Sequence, residues 1–203
     1  MATCAFCGPT IEDIIIKRTE NFTIIPTIGQ ISDGGHILIF PNDHKYASLG
    51  QMTDELFVEF EALKKEFQTA VIENYGPVMN FEHGVIGQTV PHAHLQMLPC
   101  YGHDLLFQLK EKYHFFKELK ETRELRDIER DRRVYLYYQQ PSDKEIEGRK
   151  FVFYMDAIPQ YLRLEAASVM GRVPRGNWKE WRNDPDCARI DDELMRETIA
   201  KLK

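Results

Sequence analysis

The stretch Gly87-Gln88-Thr89-Val90-Pro91-His92-Ala93-His94-Leu95-Gln96-Met97-Leu98-Pro99 decides how the rest of the chain is read. Ala93 to Leu98 is a short, mainly apolar run, which predicts a strand, and the Gly-containing segment from His83 to Val90 predicts the loop that leads into it. Successive side chains on a strand point to opposite faces. His92, His94 and Gln96 therefore share one face, while Ala93, Leu95 and Met97 turn into a core. Two imidazoles and a carboxamide in a row on one sheet face point to a site rather than to packing.

Working outward, Phe22-Thr23-Ile24-Ile25-Pro26 and Gly35-His36-Ile37-Leu38-Ile39-Phe40 are β-branched and apolar runs bounded by turn residues, so both are expected strands. Leu56, Phe57, Phe60, Leu63, Phe67 and Val71 recur at helical spacing, which predicts a helix over 53–75. Thr53 suits its cap, and Asp54 and Glu55 suit its first turn. Val78 to Phe81 reads as a further strand. Beyond Pro99 the composition changes. Residues 104–133 read as a long amphipathic helix with a solvated, charge-laced face. Val134 to Tyr138 and Lys150 to Tyr154 read as a hairpin. Pro159 opens a helix that Gly171 stops, and a last helix is expected from Asp191 to Leu202. The expected fold is α+β, with a sheet-containing domain over 1–103 and an extension of charged helix, hairpin and terminal helices over 104–203.

The chain has 203 residues, with 43% hydrophobic and 11% aromatic residues, enough to bury a core and to exclude a disordered polymer. Lys+Arg is 26 against Asp+Glu 32, a net charge of −6, which argues against non-specific binding to duplex nucleic acid. No run of about 18 uncharged apolar residues is present, so no membrane partner is expected. Met1 to Cys4 lacks the features of a signal peptide, and a cytoplasmic location is expected. Cys4-Ala5-Phe6-Cys7 is a Cys-x-x-Cys pair, either a redox motif or half of a zinc site. No strand precedes it, as a thioredoxin-like motif would require, so metal is the favoured reading.

Residues 92–98 resemble the signature of the histidine triad (HIT) superfamily, three histidines alternating with apolar residues, except that Gln96 stands at the third histidine. The His-x-His-x-Gln variant is similar to that of the transferase branch, which includes galactose-1-phosphate uridylyltransferase and the dinucleoside polyphosphate phosphorylases. Gly35 to His44 resembles the family's Gly-His-x-Leu-Ile-x-Pro-x-x-His segment, and the likeness spans roughly residues 4–100. It implies an antiparallel sheet with helices, a nucleotide substrate, and His94 as a nucleophile that forms a nucleotidyl-histidine on the α-phosphate. It implies that Gln96 donates its amide to a non-bridging oxygen, and that His36, Asn80, Gln88 and Thr89 contact or approach the phosphate. It also implies a structural zinc held by Cys4, Cys7, His44 and His92, no organic cofactor, and a homodimer formed through the sheets.

The chemistry fits these residue types. Neutral imidazole is a nucleophile at pH 7 and a good leaving group, provided its other nitrogen is held as a donor. Charge developing on phosphoryl oxygens needs donors already in place. A carboxamide donates but cannot shuttle a proton, so Gln96 tilts the reading from hydrolysis towards transfer to an ionised acceptor. In the extension, Arg163 can pair with a phosphate, and Tyr135, Tyr137 and Tyr138 are candidates to stack a base or to pack the hairpin. The segment from Ile158 to Gly171 with Asn177, Trp178 and Trp181 is faintly similar to CwfJ-type proteins linked to RNA lariat processing. That likeness keeps a nucleotide- or RNA-binding module with little catalysis as the alternative.

Overall fold

The computed structural model describes residues 4–131, 134–154 and 157–203. Its strands are β1 (Lys17–Arg18), β2 (Phe22–Pro26), β3 (Ile37–Pro41), β4 (Val78–Glu82), β5 (Leu95–Pro99), β6 (Phe116–Leu119), β7 (Leu136–Ser142) and β8 (Lys150–Phe153). Among the described residues they form one antiparallel sheet in the order β1-β2-β3-β5-β4-β7-β8-β6. The helices are α1 (Asp54–Tyr75), α2 (Leu106–Lys112), α3 (Leu125–Arg130), α4 (Tyr161–Val169), α5 (Val173–Gly176), α6 (Trp178–Trp181) and α7 (Pro185–Leu202). The fold is the α+β class expected. No helix among the described residues is long and apolar enough to cross a membrane.

Strand β5 is paired on both sides, and the register places Gln96 opposite Leu38 of β3 and Phe81 of β4. Period two then separates two faces. Ile37, Ile39, Leu95, Met97 and Val78 face α1, whose Phe57, Phe60, Phe67 and Val71 fill the gap. The α1 cap is Thr53, whose side chain accepts from the Leu56 N–H. Phe60 is fully buried, so truncation to Ala would cost about 3–5 kcal/mol. On the other face Met79, Phe81, Leu98, Leu136, Tyr138, Phe151 and Phe153 pack under Leu162, Ala166 and Ala167 of α4. A third, smaller group, Ile11, Ile25, Leu38 and Phe40, lies on this same face towards β2. The site opens between the second and third groups.

The segment expected as one long helix over 104–133 is broken. It holds α2, then β6, then α3, and its Arg132 and Arg133 lie outside the described residues. The pairing of Phe116–Leu119 with β8 overrides the helical spacing, because Tyr113-His114-Phe115-Phe116 suits a sheet edge. Helix α7 starts at Pro185 rather than at Asp191, since Asp184 caps it by accepting from the Asp186 and Cys187 N–H groups. Helix α4 starts at Tyr161, two residues after Pro159. The hairpin is β7–β8, and β7 pairs with β4, so the residues after 103 extend the same sheet. The three tyrosines are not a stacking platform. Tyr135, Tyr137 and Tyr138 are fully buried, and their hydroxyls reach Glu82, Gln139 and Asp104.

Candidate functional site

The chain enters β5 in extended form, and His92 and His94 emerge just ahead of and beside its first residue. His94 is 7% exposed, and its Nδ1 lies 2.7 Å from the His92 carbonyl. A carbonyl only accepts, so Nδ1 carries the proton and Nε2 keeps its lone pair. Burial, helped by the charges of His92 and Arg163, pushes the ring down to about 4, so it is neutral at pH 7. His92 is anchored the other way: its Nε2 donates to the Pro41 carbonyl at 2.7 Å, which turns Nδ1 towards the N-terminal segment.

Around that Nδ1 the ligand atoms of Cys4, Cys7, His44 and His92 lie within 4.8 Å of one another. The Cys4 Sγ–His92 Nδ1, Cys7 Sγ–His92 Nδ1, Cys7 Sγ–His44 Nδ1 and His44 Nδ1–His92 Nδ1 separations are 3.5, 3.6, 3.7 and 3.3 Å. A tetrahedral ion with bonds of about 2.0–2.3 Å needs ligand-to-ligand edges of roughly 3.3–3.8 Å. These four edges match a tetrahedral metal site. The Pro41 carbonyl supplies the partner that fixes the His92 tautomer.

Beside His94 is a cleft lined by the apolar side chains of Phe6, Ile25, Ile28, Leu38 and Trp178 and by a set of polar groups. Phe6 stacks on Phe40 at 4.9 Å and stands edge-on to His94 at 5.2 Å. It is the residue between the two cysteines, so holding Cys4 and Cys7 also holds this wall of the cleft.

Gln96, 3% exposed, lies one strand period beyond His94 and lines the cleft. Its Oε1 accepts from Arg163 Nη1 at 3.2 Å, which leaves Nε2 as its donating end. Arg163 comes from α4 and is itself buried, 3% exposed. Its other N–H groups go to Gly29 O at 2.5 Å, Thr27 Oγ1 and Gly176 O at 3.4 Å, and Arg175 O at 3.5 Å. With Gln96 these partners account for all five donors of a guanidinium. Arg163 therefore has no free fork for a phosphate, contrary to the expectation of a direct contact; it orients Gln96 and sets a positive charge behind it. Gly29 lets the extension come this close: its φ is +77°, and a Cβ there would lie 2.3 Å from the Trp178 Cβ. Asp191 of α7 secures the same turn by accepting from the Gly29 and Gln30 N–H groups at 2.9 and 2.6 Å.

The remaining expected residues divide. Gln88 and Thr89 line the cleft, and Gln88 Nε2 donates to the Ala47 carbonyl at 2.7 Å. His36 is fully buried against Phe81, beneath the cleft and not among its lining residues. Burial, with the Arg163 charge, holds it well below the usual imidazole value. Asn80 is a correction. It pairs with Met97, not Gln96, so it faces α1, where Nδ2 donates to Gln68 at 2.9 Å and Gln139 at 3.2 Å. A phosphate contact from that face of the sheet is not available.

Sequence reasoning left His83 without a role and gave none to Phe6, Gln160 or Trp178, yet all four line the cleft. His83 Nε2 accepts from the Leu162 N–H at 3.0 Å, and burial pushes the ring down to about 3. It thus ties the loop after β4 to the start of α4. The signal for Phe6 was its place inside Cys-x-x-Cys. That for Trp178 was an aromatic residue in a polar tail.

No protein-family model matches the chain, and no curated protein matches it. Similar solved structures are histidine triad proteins. The zinc-bound histidine triad family protein from Mycobacterium smegmatis is 27% identical over 48% of this chain and 74% of that one, with a TM-score of 0.41. The NitFhit protein of C. elegans is 25% identical over 43% of this chain at a TM-score of 0.39, and the chain spans 22% of that protein. A hypothetical histidine triad nucleotide-binding protein from Sulfolobus tokodaii is 14% identical, covers 88% of this chain and 94% of its own, and has a TM-score of 0.42. The chain resembles the histidine triad superfamily in its own residues. The resemblance rests on His92-Ala93-His94-Leu95-Gln96, the Gly35–His44 segment and the positions the fold gives them.

Proposed function

We propose that the chain is a HIT-type nucleotide-binding enzyme that transfers or hydrolyses a nucleotidyl group through a covalent adduct on His94. The observation that carries this reading is the tautomer of His94. With Nδ1–H committed to the His92 carbonyl, Nε2 is the basic nitrogen, and His94 lines the cleft. His94 Nε2 attacks the α-phosphate, the bond to the second group breaks, and the leaving group departs with its electron pair. Gln96 Nε2 donates to a non-bridging oxygen, its carboxamide held by Arg163. Gln88 and Thr89 flank the same phosphate. A second attack, by water or an ionised acceptor, then releases the nucleotide and regenerates His94.

The substrates are nucleoside phosphates joined to a second group: dinucleoside polyphosphates, nucleotide sugars or nucleoside phosphoramidates. Zinc is the ion proposed for Cys4, Cys7, His44 and His92. Four protein ligands leave no position for water, so the metal is structural and pins the N-terminal segment against the catalytic strand. Residues 1–103 carry the nucleophile, and 104–203 close the cleft through α4 and Trp178. A homodimer through sheet pairing would have to use β1 or β6, because β4 is already paired on both sides. The proposed location is cytoplasmic, without a membrane or nucleic-acid partner. Burial of the three hairpin tyrosines removes them as a base-stacking platform.

The test is steady-state consumption of a panel of those three conjugate classes by the wild type and by His94→Gly, with nucleotide binding measured in parallel. Turnover of one class, lost in His94→Gly with binding retained, is the expected result. Binding without turnover of any class would favour the binding-module reading.

A further inference from the structure

Gln160 is the residue before α4, and its backbone is left-handed, with φ +63° and ψ +18°. That region is uncommon for a residue other than glycine, and such conformations persist where surrounding contacts hold them, often at ligand sites. Here its N–H donates to the Gly87 carbonyl at 2.7 Å, joining the start of α4 to the loop before β5. Its Nε2 donates to Asn177 Oδ1 at 3.3 Å, just ahead of Trp178. The carboxamide is therefore fixed, with Oε1 as its uncommitted end.

Gln160 is 8% exposed and lines the cleft together with His94, Gln96, Arg163 and Trp178. Its Oε1 is buried and has no hydrogen-bond partner among the described residues. Buried acceptors are seldom left so, and one carried by a residue that lines a cleft is completed when a donor enters beside it. Phosphate oxygens cannot complete it, since they too are acceptors. An O–H or N–H group can. The polar wall thus carries two complementary ends: the donating Nε2 of Gln96, and the accepting Oε1 of Gln160.

We infer that Gln160 Oε1 is a specificity-determining acceptor that reads a neutral hydrogen-bond donor on the substrate, a sugar hydroxyl or an amine N–H, while the phosphate is held at Gln96. The inference rests on the proposed nucleotide-conjugate function and adds what the conjugate must carry. Loss of that donor leaves Gln160 unpaired in the complex, which penalises the analogue more than loss of a solvent-facing group would.

The experiment measures binding by calorimetry to the full chain carrying His94→Gly, which blocks turnover. The probes are AMP, UDP-glucose and adenosine 5′-phosphoramidate. Each is paired with analogues lacking one donor: 2′-deoxy and 3′-deoxy nucleotides, singly deoxygenated sugars, and the methyl ester in place of the phosphoramidate. One deletion is expected to weaken binding by about five- to a hundredfold. Which deletion does so separates a hydroxyl from an N–H source. In the added presence of Gln160→Met the same deletion should cost less than about twofold, because donor and acceptor form one interaction. Gln160→Asn, which tolerates the left-handed backbone, withdraws the acceptor by one methylene and should give the same loss of discrimination. Nucleotide binding with no donor deletion mattering, or with the same penalty in both Gln160 variants, overturns the inference and leaves the functional proposal standing. Failure of every nucleotide to bind overturns that proposal, and this inference with it.

Discussion

His92 and His94 stand two residues apart, and each gives one N–H to a backbone carbonyl, yet the two rings are committed through opposite nitrogens. His92 spends Nε2 on Pro41 and presents Nδ1 to Cys4, Cys7 and His44. His94 spends Nδ1 on the carbonyl of His92 itself and presents Nε2 to the cleft. Residue type alone therefore does not assign a role to either ring. The carbonyl that captures one nitrogen decides which lone pair remains and what it faces. The two sites are also chained, because His92, one of the four residues proposed to hold a metal, also supplies the acceptor that fixes the tautomer of His94.

Substitution separates the two histidines most strongly. His94→Gly should lower turnover by at least about a thousandfold, as expected for loss of a nucleophile, with metal content unchanged. His92→Gly should instead lose the bound metal, measured by elemental analysis.

Removing the metal tests the structural half alone. Chelation, or Cys7→Ser, removes up to about 4 kcal/mol if the metal stands a thousandfold above its Kd. For a chain of this size that lowers Tm by about 8–16 °C. An unchanged Tm after complete metal removal would show that the cluster does not support the fold. Phe6 loses its anchor in the same step, so KM should rise as well.

Next in size is the link between α4 and Gln96. Arg163→Lys keeps the charge but not the five-donor fork, and should lower kcat by about tenfold through misorientation of Gln96. Combined with Gln96→Ala, it should add little further, because both act through one contact. Fully additive losses in the double variant would mean that Arg163 acts apart from Gln96.

The last effect, on stability and not on turnover, concerns a neutral group made by burial on the neighbouring strand. Glu82 is fully buried and raised to about 8, while its carboxyl oxygens take the Leu49 N–H and the Tyr135 hydroxyl. Its folded value lies above its unfolded value, so between about pH 4.5 and 8 the unfolded state binds fewer protons and stability falls as pH rises. Glu82→Gln should remove that fall, and denaturant unfolding of the two proteins across pH 5–8 should diverge by up to a few kcal/mol. Parallel pH profiles would place the Glu82 carboxylate in a solvated environment.

Strands β2 to β5, helix α1 and the hairpin were legible because their periodicities match a face that is buried. The break at Lys112 was not, because Leu106, Leu109, Tyr113, Phe116 and Leu119 fit helical spacing, and only the long-range pairing of β6 with β8 overrides it. The alternation that puts His94 and Gln96 together was readable within one strand. The place of Asn80 was not, since it depends on the register between β4 and β5. For Arg163 the sequence offers a charge but not its five acceptors, three of which come from other loops and strands and two from α5. Gln160 was illegible for the same reason: its backbone conformation and its unpaired oxygen exist only in the folded chain.

The most direct measurement is the intact mass of the protein after brief incubation with nucleotide sugars, dinucleoside polyphosphates and nucleoside phosphoramidates, quenched at alkaline pH to preserve acid-labile phosphohistidine. The account predicts a mass increase of one nucleotidyl group, absent in His94→Gly. Turnover of a conjugate with no such adduct in the wild type, or an adduct that persists in His94→Gly, would contradict it.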